Sequence, residues 1–434
     1  MRICKAEVRH PTSMVRLVLV WLVSTNLLSG GQTVDFGSCQ ADKNNTSASP
    51  TYVGTSANAT PGSVSKLPIR SLLYDGSQTR IYTRYMPWFG DTHHLDVGYR
   101  SNDQQQIARQ VADMMSRGIQ GAIVDWYGPH SGFKNENTIL LMKEAERQNF
   151  EFAISEDAGA LAGCKQSVCD PTEYLIADLR YAAEHFESSP AYVHIDRRPA
   201  VFFFGLEKYS IDWDRVRQLL RERPLLFFRN SGSLSDPNAD GAYAWIAPET
   251  IGPTDPMGLQ YLERFYSKAQ KSSKIVMGSA YKGFDDSKAS WGQGRVIKQE
   301  CGETWLSTFT EASHFYSSNH QLPALIIPTW NDYEEGTEIE TGIDNCVRIQ
   351  ARLNSEDLSW TVVGPEKTID HYAVLAERGS EWIEAANIPA TTHSLALHEL
   401  NLRGKWTAVC VESVGKASIL NHFSRRIQIP DSNP

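Results

Sequence analysis

An α/β fold, a (β/α)8 TIM barrel followed by a small all-β sandwich, is what this sequence predicts. Two observations predict it. Between residues 78 and 351 eight short apolar runs alternate with helical stretches over roughly 250 residues, the usual size of such a barrel. Beyond residue 352 the rhythm changes to short runs separated by turn residues every 8–12 positions or so, which is how a sandwich reads.

Taken in order, residues 1–31 read as an export signal. Arg2, Lys5, Arg9 and Arg16 supply the positive start, 17–28 (LVLVWLVSTNLL) a short apolar run, and Ser29, Gly30 and Gly31 the small residues that follow. The run is short for a membrane span and polar at Ser24, Thr25 and Asn26. Cleavage is therefore expected, and an uncleaved anchor is the one membrane association left open. Residues 32–77, rich in Ser, Thr, Asn and Gly, read as a disordered linker. Asn44, Asn45 and Asn58 each open an N-x-[ST] triplet there.

The barrel strands are expected at 81–88, 122–126, 150–155, 200–204, 225–228, 242–246, 274–279 and 324–329. Helices are expected at 103–117, 138–147, 172–185, 216–222, 257–269 and 304–316, with only a loop over 231–241. An open doubly wound sheet would give the same pattern, because strand order is invisible at this stage. The sandwich strands are expected at 358–363, 371–376, 382–385, 394–397, 405–411 and 420–426 within a domain spanning 352–430.

The chain has 434 residues, is 41% hydrophobic and 21% charged, and carries a formal charge of −9 without a basic stripe. Nucleic acid is therefore not an expected partner. Seven cysteines suit an exported protein, and Cys164 and Cys169 can close a short loop or stay as free thiols. No second Cys/His pair accompanies them, and His93, His94 and Asp96 lack metal-ligand spacing, so neither a metal nor a cofactor is expected. No acyl-transfer, nucleotide-triphosphate or dinucleotide fingerprint occurs.

The strongest chemical signal is T-W-N-D-Y-E-E-G-T-E-I-E over 329–340. It begins where the last expected strand ends, the position from which barrel residues face the active-site mouth. Five acids, Asp332, Glu334, Glu335, Glu338 and Glu340, crowd into nine positions. Crowding raises carboxyl pKa values, as a general acid requires, and glycoside hydrolysis uses two carboxyl groups. Asp332 and Glu335 are the candidate catalytic pair. A solvated acidic loop is the plain alternative.

This segment is similar to the last-strand motif N-E-W-H-E-G-T-x-I-E of glycoside hydrolase family 99, the endo-acting α-mannosidases and α-mannanases. Asn331, Glu335, Gly336, Thr337, Ile339 and Glu340 match, whereas Asp332, Tyr333 and Glu334 stand where that family has Glu, Trp and His. Its opening resembles instead W-N-D-Y-G-E-S of family 71, the fungal α-1,3-glucanases. Y-M-P-W-F at 85–89, A-I-V-D-W-Y-G at 122–128 and G-F-D-D at 283–286 followed by Trp291-Gly292 extend the resemblance over roughly residues 80–345. It implies a hydrolase of an α-mannan-like or α-1,3-glucan-like glycan, with Glu335 as general acid and Asp332 as its partner, and the export signal makes the expected location secreted, periplasmic or at the cell surface. The resemblance also implies substrate contacts from Tyr85, Trp88, Trp126, Glu156, Trp330, Asn331 and Tyr333, although each aromatic can equally be core; Tyr281, just ahead of the G-F-D-D loop, can touch substrate or be a solvated loop residue. Asp157 reads as a helix cap.

The C-terminal segment resembles a fibronectin type III domain: Trp360 falls on an early core strand, and Leu397, Leu400, Gly404, Trp406, Ala408, Val409 and Gly415 follow the late pattern. Trp406 stands where the corner tyrosine belongs. Two non-enzymatic readings stay open, a glycan binder on a hydrolase scaffold and a surface adhesion module in which the sandwich holds a cell-surface glycan.

Overall fold

The computed structural model describes residues 64–164, 169–220, 223–400 and 406–430. The expected export signal, most of the expected linker, the three N-x-[ST] triplets and Gly404 lie outside them. The linker expected up to residue 77 ends earlier: Val64 bridges Leu420, and Ile69 is fully buried under the barrel wall.

Eight parallel strands form the barrel: β1 (Arg80–Tyr85), β2 (Gly121–Trp126), β3 (Glu151–Asp157), β4 (Arg198–Phe204), β5 (Leu225–Arg229), β6 (Gly241–Tyr243), β7 (Ile275–Ser279) and β8 (Ala324–Ile327). Each pairs with the next, β8 pairs with β1, and the ring is thereby closed. Closure excludes the open doubly wound sheet. The two-residue strand His194–Ile195 adds an antiparallel edge to β4.

Helices α1 (Gln104–Ser116), α2 (Gly132–Gln148), α3 (Pro171–His185), α4 (Trp213–Leu219), α5 (Leu259–Ala269) and α6 (Glu303–Phe315) cover the outside. The Asp103 side chain caps α1 through the Gln105 and Gln106 amides, and Asp170 caps α3 ahead of Pro171. Between β5 and β6, where no helix is expected, there is only the short 3-10 turn Ser231–Ser235.

Strand alternation decides which side chains reach the interior. Arg80, Tyr82 and Arg84 of β1 turn inward: Arg80 pairs with Glu151, the Tyr82 hydroxyl donates to Glu151 Oε2 at 3.0 Å, and Arg84 pairs with Asp125. Higher in the ring Phe202 stacks on Phe227 with centroids 4.9 Å apart. The barrel is thus a packed core, charged at its floor and its mouth and aromatic between.

Strands β9 (Arg348–Asn354), β10 (Asp357–Val363), β11 (Ile369–Arg378), β12 (Glu381–Pro389), β13 (Ser394–Ala396), β14 (Ala408–Gly415), β15 (His422–Phe423) and β16 (Ile427–Gln428) make the all-β part. One antiparallel sheet runs β9-β10-β13, the other β12-β11-β14-β15, with β16 also on β14. Trp360, Tyr372, Val374, Val409 and Val411 fill the space between them. β9 has no counterpart among the expected strands and begins ahead of residue 352; its alternating exposed and buried residues are weakly apolar. A Cys301–Cys346 disulfide ties the start of α6 to the segment leading into β9, and Cys164 is bonded to Cys169.

Candidate active site

The carboxyl ends of β1, β2, β3 and β8 bring four charged groups together. The buried Arg84 guanidinium pairs with Asp125 and donates to Ser155 Oγ at 2.8 Å. The charge of Asp157 also acts on Arg84, and burial together with the charge of Asp125 pushes the Asp157 carboxyl up to about 7. Its Oδ1 accepts from the Gly159 amide at 2.6 Å. The Tyr127 phenol is held above its usual range by burial and by Asp125 and Asp157. Glu335 arrives from the loop after β8 within reach of the Asp125 and Arg84 charges.

The other four acids of that loop are each engaged. Asp332 Oδ1 accepts from the Glu334 and Glu335 amides at 3.0 and 2.9 Å. Glu334 takes His94 Nδ1 at 2.8 Å and the Leu95 amide at 3.1 Å. Glu338 accepts from Lys282 Nζ at 2.7 Å. Glu340 accepts from Gln110, Tyr99 and Tyr333 at 2.7, 3.0 and 2.7 Å, and burial raises it to about 7. Among the described residues none hydrogen-bonds the Glu335 carboxyl, and Glu335 is partly exposed. Burial pushes it up to about 7, with Arg295 and Arg84 pulling down and Asp125 and Asp286 pushing up. Burial, and next the charge of Glu335, hold Asp332 well above the usual carboxylate range, so the two acids feel one another.

The loop is clamped from three sides. Arg117 of α1 donates to the Ile339 and Glu340 carbonyls at 2.6 and 2.8 Å. Asn331 joins the Met86 backbone at 2.8 and 3.0 Å, locking the β8 loop to the β1 loop. On the third side lies the hairpin that pairs Phe284–Asp285 with Val296–Ile297. Its Asp285 amide donates to the Glu335 carbonyl at 2.7 Å, which seats the hairpin directly on the acid-rich loop. Gly336 fits there because its φ of 60° and its approach to Asp285, 3.3 Å from where a Cβ would stand, both favour glycine.

Several side chains expected at the site do not join it. Tyr85, Trp126 and Glu156 are each one residue from an inward-facing neighbour, so strand alternation turns them toward the helices. The Tyr85 hydroxyl donates to Gln110 of α1 at 2.8 Å, and Trp126 Nε1 donates to Asn135 of α2 at 2.9 Å. Glu156 is fully buried and faces Asp178 of α3. Burial, and next the charge of Asp178, hold the Glu156 carboxyl well above the usual carboxylate range, and burial pushes Asp178 up to about 6. The proton donors and acceptors at the mouth come instead from their neighbours Arg84, Asp125 and Asp157. Tyr281 is buried and donates to the Met257 and Gly258 carbonyls at 3.0 and 3.1 Å. Trp330 is buried beneath the Arg117 guanidinium, 4.8 Å from its ring centroid. Asn331 and Tyr333 are braces, the latter holding Glu340.

Trp88 is also mostly buried, stacked at 4.5 Å on His94, with the exposed Trp291 edge-on at 6.3 Å. His94 is therefore an aromatic and acid-pairing residue, while His93 is exposed and bonds Asp91. Sequence reasoning missed Arg84 altogether and set Asp157 aside; the alternation of β1 and β3 about Tyr82 and Ser155 was the signal that separates them from their neighbours.

No protein-family model and no curated protein matches the chain. Among solved structures it is similar to the glycoside hydrolase family 99 endo-α-mannosidase of Bacteroides thetaiotaomicron in complex with bis-tris-propane. That likeness is 17% identical, covers 61% of this chain and 87% of that one, and has a TM-score of 0.49. A glycoside hydrolase-like protein is 11% identical over 62% of this chain and 88% of its own, with a TM-score of 0.47. The endo-β-1,4-mannanase of Thermotoga petrophila is 10% identical over 82% and 99%, with a TM-score of 0.36. The closed barrel is a property of this chain's own strand pairing.

Proposed function

We propose that the chain is a secreted glycoside hydrolase that cleaves an α-linked glycan, α-mannan-like or α-1,3-glucan-like, with Glu335 and Asp332. One observation carries this reading: of the five acids after β8, Glu335 alone is partly exposed with no hydrogen-bond partner among the described residues, and it keeps its proton to about pH 7. A carboxyl in that state can protonate a leaving glycosidic oxygen at neutral pH.

Asp332 is the partner base. In the state in which the pair holds a single proton, on Glu335, the Asp332 carboxylate takes a proton from water, the water oxygen bonds to the anomeric carbon, and the bond to the leaving oxygen breaks as Glu335 gives up its proton. The short Asp side chain favours water over a substrate hydroxyl as the group it deprotonates. Asp125 and Asp157, arranged around Arg84, are acceptors for sugar hydroxyls. Export accords with the Cys164–Cys169 and Cys301–Cys346 bridges, which persist in oxidising compartments. The strand order of the two small sheets supports the fibronectin type III reading of the C-terminal part.

The test is reducing-end release from α-mannan, α-1,3-glucan and mixed α-glycans. Glu335→Gln is expected to lower the rate about a hundredfold or more while leaving the fold intact. An unchanged rate in that variant overturns the assignment, and glycan binding without turnover by the unaltered protein overturns the enzyme.

A further inference from the structure

The two halves of the barrel mouth carry different chemistry. On β4 and β5, strand alternation sends Phe203 and Phe228 outward onto Trp213 of α4, with ring centroids 5.1 and 4.7 Å away. Phe202 and Phe227 point inward and stack on one another. Phe204 and Arg229, two residues further along, therefore also face the interior, at the carboxyl ends of their strands. The Arg84 and Arg229 guanidinium carbons stand over the Phe204 ring, 4.5 and 4.4 Å from its centroid. The Trp245 ring meets Phe204 edge-on at 5.3 Å. Where β2, β3 and the β8 loop bring carboxyls to the mouth, β4 and β5 bring an aromatic ring and a cation.

The two arginines are not equally engaged. Arg84 is buried and paired with Asp125. The Arg229 side chain is 24% exposed, and among the described residues its one hydrogen-bond partner is Glu207, whose Oε1 accepts from Nη2 at 2.8 Å. Its Nε is buried and has no acceptor among the described residues. Glu207 lies on the short turn Leu206–Lys208 after β4 and is itself 67% exposed. An ion pair so open to water is weak and readily exchanged. A guanidinium fork can hold two oxygens of a carboxylate or phosphate at once, and here it holds one.

We propose that Arg229 recognises an oxyanion on the glycan, a carboxylate or phosphate carried by the sugar over β4 and β5, and that Glu207 holds the fork until that group displaces it. This inference rests on the hydrolase reading and narrows its substrate to an acidic α-glycan. Asp125 and Arg84 stand between the two ends of the mouth: their charges reach Glu335 on one side, and Arg84 shares the Phe204 ring with Arg229 on the other. One chain of sugars can therefore meet the acid and the guanidinium together.

The experiment measures kcat and KM of the whole protein on α-mannan and α-1,3-glucan oligosaccharides, each neutral, carboxylated at C6 or phosphorylated at C6. The KM of one acidic form is expected to be about tenfold or more below that of its neutral parent, the scale of a charge-assisted hydrogen bond. Which acidic form it is separates carboxylate from phosphate. Arg229→Gln is expected to bring the neutral and acidic values together, and Arg229→Lys to restore part of the difference. Glu207→Gln, which removes the competing carboxylate, is expected to widen it several-fold. Equal KM values in the unaltered protein, or a difference that survives Arg229→Gln, overturn the recognition. An unchanged difference in Glu207→Gln overturns the displacement. Absence of turnover on every substrate overturns the hydrolase instead; the same comparison is then read as Kd by titration calorimetry, where a preference that survives Arg229→Gln again overturns the recognition.

Discussion

Glu335 owes its proposed role to what surrounds it. Burial raises its carboxyl to about 7 against the pull of Arg295 and Arg84. A general acid must be protonated, so kcat/KM is expected to fall as pH rises through about 7. Initial rates across pH 5–9 check this, and a profile flat through neutrality would refute it. The neighbours Glu156 and Asp157 offer a sharper contrast. Asp157→Asn, at the mouth, should raise KM about tenfold or more. Glu156→Gln, facing α3, should leave activity within about twofold and, by giving Asp178 a donor that never ionises, should hold or raise the Tm at pH 8. Sequence marked the acid-rich loop because five carboxyls in nine positions are a compositional fact. It misplaced Trp126 and Glu156 because β2 and β3 are buried on both faces and only single polar residues mark the inner one, and it misplaced Tyr85 although Arg80, Tyr82 and Arg84 mark the inner face of β1.

At the scale of elements the barrel was legible for the same reason that its faces were not. Each strand is buried on both sides, so all eight stand out as apolar runs between helical stretches. β9 escaped because its exposed and buried residues alternate in a polar stretch. Two elements invite measurement. The Cys301–Cys346 bridge closes a 45-residue separation that contains α6, β8 and the whole acidic loop. Loop entropy alone makes such a closure worth about 4 kcal/mol. Cys301→Ser with Cys346→Ser should therefore lower the urea midpoint markedly without changing the chemistry, and an unshifted midpoint would deny the bridge that role. The hairpin seated on Glu335 carries Trp291, 46% exposed against Trp88. Trp291→Ala is expected to raise KM about tenfold at nearly constant kcat, since a stacking surface binds substrate and transition state alike. A fall in kcat at unchanged KM would count against stacking.

For the molecule as a whole, the pH dependence of stability follows from two opposed sets of carboxyls. Burial holds Glu340, Glu412, Glu335 and Asp157 near 7 and Asp178 near 6. In the unfolded chain these ionise near 4, so between there and about 7 the folded state binds more protons. Their contribution is complete below about pH 4 and is lost as pH rises through 7. Asp113, Asp240 and Asp286 run the other way, because hydrogen bonds and ion pairs to Arg117, Arg217 and Arg295 outweigh burial and lower their carboxyls. They stabilise above about pH 4, and that contribution is lost as pH falls through their folded values. The two sets together place the stability maximum in acid solution, near pH 4, where the second set is ionised and the first still holds its protons in both states. Urea unfolding at pH 5 and pH 8 should give the higher midpoint at pH 5. Replacing Glu340 and Glu412 by Gln removes two titrating groups while keeping amides of similar size, so the gap between the two midpoints should narrow. A midpoint higher at pH 8 than at pH 5 would mean that the buried acids are ionised in the folded protein, and the proton assigned to Glu335 would lose its physical basis with them.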